Sequence, residues 1–305
     1  MFRNAMVRTV LVLCVMQVPS SGIAQQNVQR DLTWIRRGDR ELKLDIYQAG
    51  SYAEADRPLV IWIHGGAWRA GSKDRVPILG WLKHGFAIAS VEYRLSPEAK
   101  FPAQLHDLHA AIRFCRRNAG RYGFDPQRFV VAGASAGGHL AALTGVSSDV
   151  PELLGREDSN ADSKGESSGV QAIVSFYGAS NLQTILSQST PHGLSVRVPA
   201  LQLLLGGQPD EKVTLARLAS PVVHVDSDDP PLWLIHGDAD PQMPPQQSLE
   251  LKQVYEKHHC AVTLQMLPGS VHGGEEFYSA VRLAELADQL HVVLRTPDEI
   301  LRQGR

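Results

Sequence analysis

The apolar positions of the chain change period once, and the change separates two kinds of strand. At 41–46, Leu42, Leu44 and Ile46 alternate with Glu41, Lys43 and Asp45, the period of two that turns one strand face to a core and the other to water. The Gly38-Asp39 turn and a strand-like run at 33–36 ahead of it predict an antiparallel N-terminal hairpin. From Pro58 onward the alternation stops. Residues 59–63, 86–91, 170–176 and 232–236 are continuous apolar runs, the pattern of parallel strands buried on both faces. A further apolar run ends in the glycine-rich segment 128–140, and 261–267 is the last strand.

Helical spacing fills the intervals at 76–84, 102–118, 246–258 and 275–294. In the second of these, Leu105, Leu108, Ile112 and Cys115 share one face. Strands alternating with helices of this length predict an α/β fold, a mostly parallel, doubly wound sheet with helices on both faces and its ligands beyond the carboxyl ends of the strands. Two stretches interrupt the alternation. Residues 152–169, rich in Ser, Asp, Glu and Gly, read as a surface loop, and 181–220, with a helical pattern at 198–205, is large enough for a small cap over a site or a peripheral insertion. No internal repeat is present, and 25–305 reads as a single domain.

The first 24 residues differ from the rest. Arg3 and Arg8 precede an apolar run at 10–18, followed by Pro19-Ser20-Ser21-Gly22-Ile23-Ala24. The run falls short of the roughly 20 residues that span a bilayer, and Gly22 and Ala24 are small enough for the cleavage-site positions of a secretory signal peptide. The expectation is a secreted or periplasmic protein with no membrane span after cleavage; an uncleaved anchor is the alternative. Only Cys115 and Cys260 would remain, which excludes a disulfide scaffold, and no bridge is expected.

Charge excludes further classes. With a net charge of -2 and no long like-charged block, the chain lacks the surface expected for nucleic acid or anionic membrane. Arg113, Arg116, Arg117 and Arg121 read as the solvent face and C-terminal end of one helix.

The chemistry starts at Gly133-Ala134-Ser135-Ala136-Gly137, a Gly-x-Ser-x-Gly turn directly after a strand and before a helix. Glycines flank the serine because a β-carbon there would collide with the neighbouring strand or helix, and Ser135 is left exposed at a helix N-terminus that favours developing negative charge. A nucleophilic serine needs a histidine base, and the histidine needs a carboxylate to hold its tautomer. His236-Gly237-Asp238-Ala239-Asp240-Pro241 follows one buried strand, and His272 in Pro268-Gly269-Ser270-Val271-His272-Gly273-Gly274 follows the next. Ser, Asp and His therefore come at three strand ends in a triad order known for one fold, with Asp238 and Asp240 both available as the acid. His139 and His236 read as local hydrogen-bonding residues, and Asp228 and Asp229 fall at the wrong end of their strand. The loop His64-Gly65-Gly66-Ala67-Trp68 offers the Gly65 and Gly66 amides, and Ala136 a third, as oxyanion donors. Trp68 and Tyr177 are candidate substrate-binding side chains, Trp68 either walling an acyl pocket or packing under its loop. No metal or cofactor is implied.

With these residues in view the mature chain resembles the α/β-hydrolases, and more narrowly the group of bacterial feruloyl and acetylxylan esterases, with kynurenine formamidases and hormone-sensitive-lipase-type esterases as relatives. The resemblance is carried by His64 to Trp68, Glu92-Tyr93-Arg94-Leu95-Ser96-Pro97-Glu98 with Phe101-Pro102-Ala103, Gly133 to His139, His236 to Pro241, and Val271-His272-Gly273. Ala67 in place of the third glycine of lipase-type relatives, and Ala134 where those often carry an acid, favour the feruloyl-esterase and formamidase side. The resemblance implies Ser135 as nucleophile, His272 as base and then acid, Asp240 as the orienting carboxylate, and Arg94 and Glu98 as braces beneath the site. It also implies a small-molecule or polysaccharide ester as substrate. An arylformamidase using the same machinery is the rival activity, and a non-catalytic binding domain on a hydrolase fold the rival of another class. Turnover of a matched ester and formamide discriminates the first rival, and loss of all turnover with binding retained identifies the second.

Overall fold

The fold is built outward from β5 (Phe124–Ala134), which is apolar on both sides from Phe129 onward. Phe129 and Val131 enter one core and Val130 and Ala132 the other. The computed structural model describes residues 26–50, 56–155 and 166–295; the leader read at 1–24 and positions 156–165 of the polar loop lie outside the described residues. Among them, eight strands form one sheet in the order β1-β2-β4-β3-β5-β6-β7-β8. The hairpin β1 (Gln26–Arg37) and β2 (Arg40–Ala49) is antiparallel, and β2 pairs antiparallel with β4 (Ala87–Val91). From there β3 (Arg57–Ile63), β5, β6 (Ala172–Phe176), β7 (Leu232–Gly237) and β8 (Val262–Leu267) continue in parallel.

Helices close both faces. They are α1 (Ala103–Arg117), α2 (Ala119–Tyr122), α3 (Ala136–Gly145), α4 (Pro151–Leu154), α5 (Ile185–Gln188), α6 (Pro191–Leu205), α7 (Val213–Leu218), α8 (Gln246–Lys257) and α9 (Ala280–Val293). Leu105 and Ile112 of α1, Leu140 of α3 and Leu201 of α6 lie in the core with Leu59, Ile61 and Ile63, whereas Leu283, Leu286 and Leu290 of α9 share the other core with Val60 and Trp62. The alternation along β3 assigns its side chains to the two layers. Among the described residues no helix is long and apolar enough to cross a membrane. Cys115 is buried, and both it and Cys260 are free.

Three expectations change. The helix expected at 76–84 is only a 3-10 turn at Leu79–His84. Pro77 and Gly80 weaken the local helical preference, and the turn is held by its Trp81 indole donating to Leu283 O at 2.8 Å. The helix expected at 275–294 breaks at Ser279, whose hydroxyl accepts from Arg282 N at 3.4 Å and caps α9, leaving Glu275–Tyr278 as a separate turn beside the site. Arg113 and Arg116 are not solvent decoration. Arg113 is buried, with Nη2 donating to Leu154 O at 3.3 Å, and Arg116 lies over the Phe129 ring and donates to Pro126 O and Gly169 O.

Beneath the loop that leaves β4, Arg94 grips the fully buried Asp107 of α1 with Nε and Nη2, each at 2.8 Å, and Arg37 of β1 adds a third bond at 3.1 Å. Glu98 accepts from Leu95 N at 2.8 Å, closing the same loop. Removing one partner of such a buried pair strands the others. Asp107→Ala should therefore lower unfolding free energy by about 3 kcal/mol in urea titration; a loss below about 1 kcal/mol would place the cluster with ordinary surface pairs.

Candidate active site

At the end of β5 the chain turns so sharply that Ser135 takes φ 55° and ψ -118°, a region L-residues enter only when the surroundings hold them. The surroundings are backbone. A Cβ on Gly133 would lie 2.2 Å from Gly137 O, and one on Gly137 would lie 2.1 Å from Ile63 O, so both positions exclude a side chain. Ser135 N donates to Phe176 O at 2.9 Å and Ser135 O accepts from His139 N at 2.9 Å, which locks the turn to β6 and to the first turn of α3.

His272 comes to the serine from the loop after β8. Its Nε2 is 2.8 Å from Ser135 Oγ, and its Nδ1 is 2.7 Å from Asp240 Oδ2. Asp240 in turn accepts Gln242 N and Met243 N on Oδ1, both at 2.8 Å, and has His236 Nε2 3.4 Å from Oδ2. Burial by itself would raise the Asp240 carboxyl, but the hydrogen bonds from His236, His272 and the Met243 amide outweigh it and hold the group well below the usual carboxylate range. Asp238 is exposed and points away, accepting Gly269 N at 2.7 Å; it ties the turn after β7 to the turn after β8. Burial pulls the His272 imidazole down, opposed by its hydrogen bond and attraction to Asp240. It is thus neutral near pH 7, with Nε2 free to accept a proton.

The other histidines are used locally. His236 is buried, its Nδ1 2.7 Å from Ser248 Oγ and its Nε2 3.0 Å from Met243 O. His139, pulled down to about 4 by burial, accepts from Trp68 Nε1 at 3.0 Å and donates from Nε2 to Ala219 O at 2.7 Å.

The loop after β3 passes directly beside the serine: a Cβ on Gly65 would lie 2.7 Å from Ala134 O and 3.4 Å from Ser135 Cβ. Gly66 has φ +121°, and a Cβ there would lie 2.0 Å from Ala70 O. Among the described residues the amides of Gly65, Gly66 and Ala136 donate no hydrogen bond, so three N–H groups remain available next to Ser135 Oγ. Tyr93 OH donates to His64 O at 3.0 Å and Ser96 N to Trp68 O at 2.8 Å, fixing the loop from behind. Further along, Lys73 is buried against Asp45 at 2.8 Å and Asp31 at 2.9 Å. Asp45 was expected on the wet side of β2 but is fully buried beneath this lysine, because the loop folds back over the strand.

Above Ser135 lies an open cleft of about 1450 Å³, larger than the usual range for a small enclosed ligand. Tyr177 lines it as expected, its hydroxyl 2.7 Å from that of Tyr278 and its ring centroid 4.9 Å from His272. Trp68 does not line it. Its indole is fully buried and committed to His139, which corrects the expectation of a substrate contact in favour of packing under the loop. No residue of 181–220 lines the cleft either. Arg69, Arg75, Glu275, Glu276 and Tyr278 do, and sequence reasoning missed them. Their signal was proximity in sequence to the Gly65-Gly66 loop and to His272.

The fold and the serine-centred arrangement are those of an α/β-hydrolase. The chain belongs to the BD-FAE family, whose model matches residues 44–255. It is 30% identical, with a TM-score of 0.77 over 88% of this chain and 96% of the other, to a truncated form of a carbohydrate esterase from gut microbiota. An acetyl ester-xyloside bifunctional hydrolase from Caldicellulosiruptor lactoaceticus gives 26% identity and a TM-score of 0.69, covering 84% of this chain and 89% of that one. Esterase LipQ of Mycobacterium tuberculosis is 33% identical over 221 residues, 69% of this chain and 49% of LipQ. The chain spans about half the length of the curated relatives it matches.

Because His272 must be neutral to accept a proton and burial lowers its affinity for one, kcat/KM should fall as pH drops through a midpoint below the 6.5 of an ordinary histidine. A pH profile on a neutral ester reads it, and a midpoint above 6.5 would contradict the burial account.

Proposed function

We propose that the chain is a serine carboxylic ester hydrolase that works through an acyl-enzyme on Ser135, acts on acetyl or feruloyl esters of plant polysaccharide or similar small esters, and functions outside the cytoplasm. The observation that carries this reading is the hydrogen-bonded chain Ser135–His272–Asp240 beside the uncommitted amides of Gly65, Gly66 and Ala136. His272 Nε2 takes the Ser135 proton as Oγ attacks the ester carbonyl, while Asp240 holds Nδ1–H and stabilises the imidazolium. The tetrahedral oxyanion sits between the three amides, each such donor being worth about 2.7–4 kcal/mol in the transition state. His272 then gives the proton to the departing alkoxide, and a water, deprotonated by the same nitrogen, releases the acid and restores Ser135.

The substrate class is supported by two solved structures that the chain resembles, one named a carbohydrate esterase and one an acetyl ester-xyloside hydrolase, and by Tyr177 and Tyr278, hydrogen-bonded through their hydroxyls, which line the wide cleft with aromatic rings. Export rests on the pattern of Arg3, Arg8 and the apolar run at 10–18.

Ser135→Ala should cut ester turnover by on the order of 10⁶ with melting temperature unchanged, and Asp240→Asn should reduce it far more than Asp238→Asn; retained turnover in Ser135→Ala would end the acyl-enzyme reading. In a panel of acetylated xylan, methyl ferulate, nitrophenyl acetate and N-formylkynurenine, the esters should lead, and preference for the formamide would move the assignment to an arylformamidase. Expressed from its full sequence in a Gram-negative host, the chain should be recovered from the periplasm or medium beginning at residue 25; recovery from the cytoplasm with residue 1 intact would remove the export claim.

A further inference from the structure

The serine, histidine and aspartate leave one buried cation unaccounted for. Arg197 projects inward from α6 and is fully buried. Its Nη2 donates to Gln242 O at 3.4 Å, its guanidinium carbon lies 5.8 Å from the Trp68 ring centroid, and its Nε and Nη1 find no hydrogen-bond partner among the described residues. A buried guanidinium so poorly satisfied is strongly unfavourable unless an opposite charge offsets it. The carboxylate that acts on it is Asp240, whose Oδ1 accepts the amide of the same Gln242 at 2.8 Å. Thr190, which caps α6, adds a second tether by donating to Pro241 O. The charged and titratable groups that face this arrangement are Asp240 and His236 from the end of β7, His272 from the loop after β8, Arg69 from the loop after β3 and His139 from α3.

We propose that Arg197 is a positioning residue for the reaction: from the insertion at 181–220 it holds the Pro241-Gln242 turn and sets a fixed positive charge beside the Asp240–His272 pair. The insertion then acts through the acid side of the triad, which accounts for its packing on the Asp240 turn while contributing nothing to the cleft lining. The charge favours the ionised carboxylate and disfavours a second proton on His272, so its removal moves the acid limb of activity to higher pH. This inference rests on the serine-esterase reading.

The test compares wild type, Arg197→Met and Arg197→Lys by kcat and KM on nitrophenyl acetate and by the rate at which a fluorophosphonate labels Ser135 across pH. In Arg197→Met, kcat should fall about tenfold or more with KM little changed, and the acid limb of both hydrolysis and labelling should move upward. Arg197→Lys keeps the charge but not the planar fork, so the limb should return to its wild-type position while kcat stays several-fold low. A folded Arg197→Met with wild-type kcat and limb overturns the proposal, as does an upward shift of equal size in both variants. If Arg197→Met does not fold, Arg197→Lys decides alone: unchanged kcat, or a moved limb, overturns it. Wild type that neither hydrolyses the ester nor takes the label would instead refute the esterase reading, whatever the variants do.

Discussion

The structure depends on a place where three backbones meet without side chains between them. The end of β3, the turn at Ser135 and the first turn of α3 approach so closely that a single methyl group at Gly133 or Gly137 would sit about 2 Å from a carbonyl oxygen. Close packing of this kind has no slack, and it forces the serine into a left-handed conformation that no local preference supports. The cost is met by the sheet: Ser135 N is bonded across to Phe176, and Ile63 is paired with Gly133. The apolar strands thus serve the site indirectly, by being rigid enough to hold one residue in an unfavourable shape.

The same edge gathers three more strained residues. Ala67, Trp68 and Tyr177 all have positive φ, and each follows a strand that ends beside Ser135. Parallel strands place every carboxyl end on one side, so loops distant in sequence must share a small volume there. Gly65, Gly66, Ala67 and Tyr177 line the cleft from these loops, and the buried Trp68–His139 contact ties the Gly65-Gly66 loop to α3 from below.

Electrostatics divides the site by depth. Asp240, His236 and Arg197 are buried and mutually constrained, and their interactions act in a medium where charge matters more than in water. Arg69, Arg75, Glu275 and Glu276, two of each sign, line the cleft as exposed side chains, where solvent screens them. The buried set adjoins His272, and the exposed set lines the open cleft.

Much of this was legible in the chain alone. Continuous apolar runs separated by helical spacing define parallel strands, because burial on both faces demands them; a serine between glycines, and Ser, Asp and His at the carboxyl ends of three strands, follow from the same pattern. Local spacing could not choose between Asp238 and Asp240, which stand two apart on one turn; the resemblance pointed to Asp240, and the geometry shows why, since only that residue turns inward to two backbone amides and two histidines. Trp68 was ambiguous for a related reason: an aromatic beside a catalytic loop fits above or below it, and the hydrogen bond to His139, 71 positions away, selects below. The burial of Asp45 under Lys73, the break at Ser279 and the seat of Arg197 against Gln242 are likewise long-range outcomes. Periodicity records which side of an element faces a core, so it fixes strands, helices and the turn that bears the serine; it carries nothing about which distant loop fills the space above, and only the assembled sheet edge decides that.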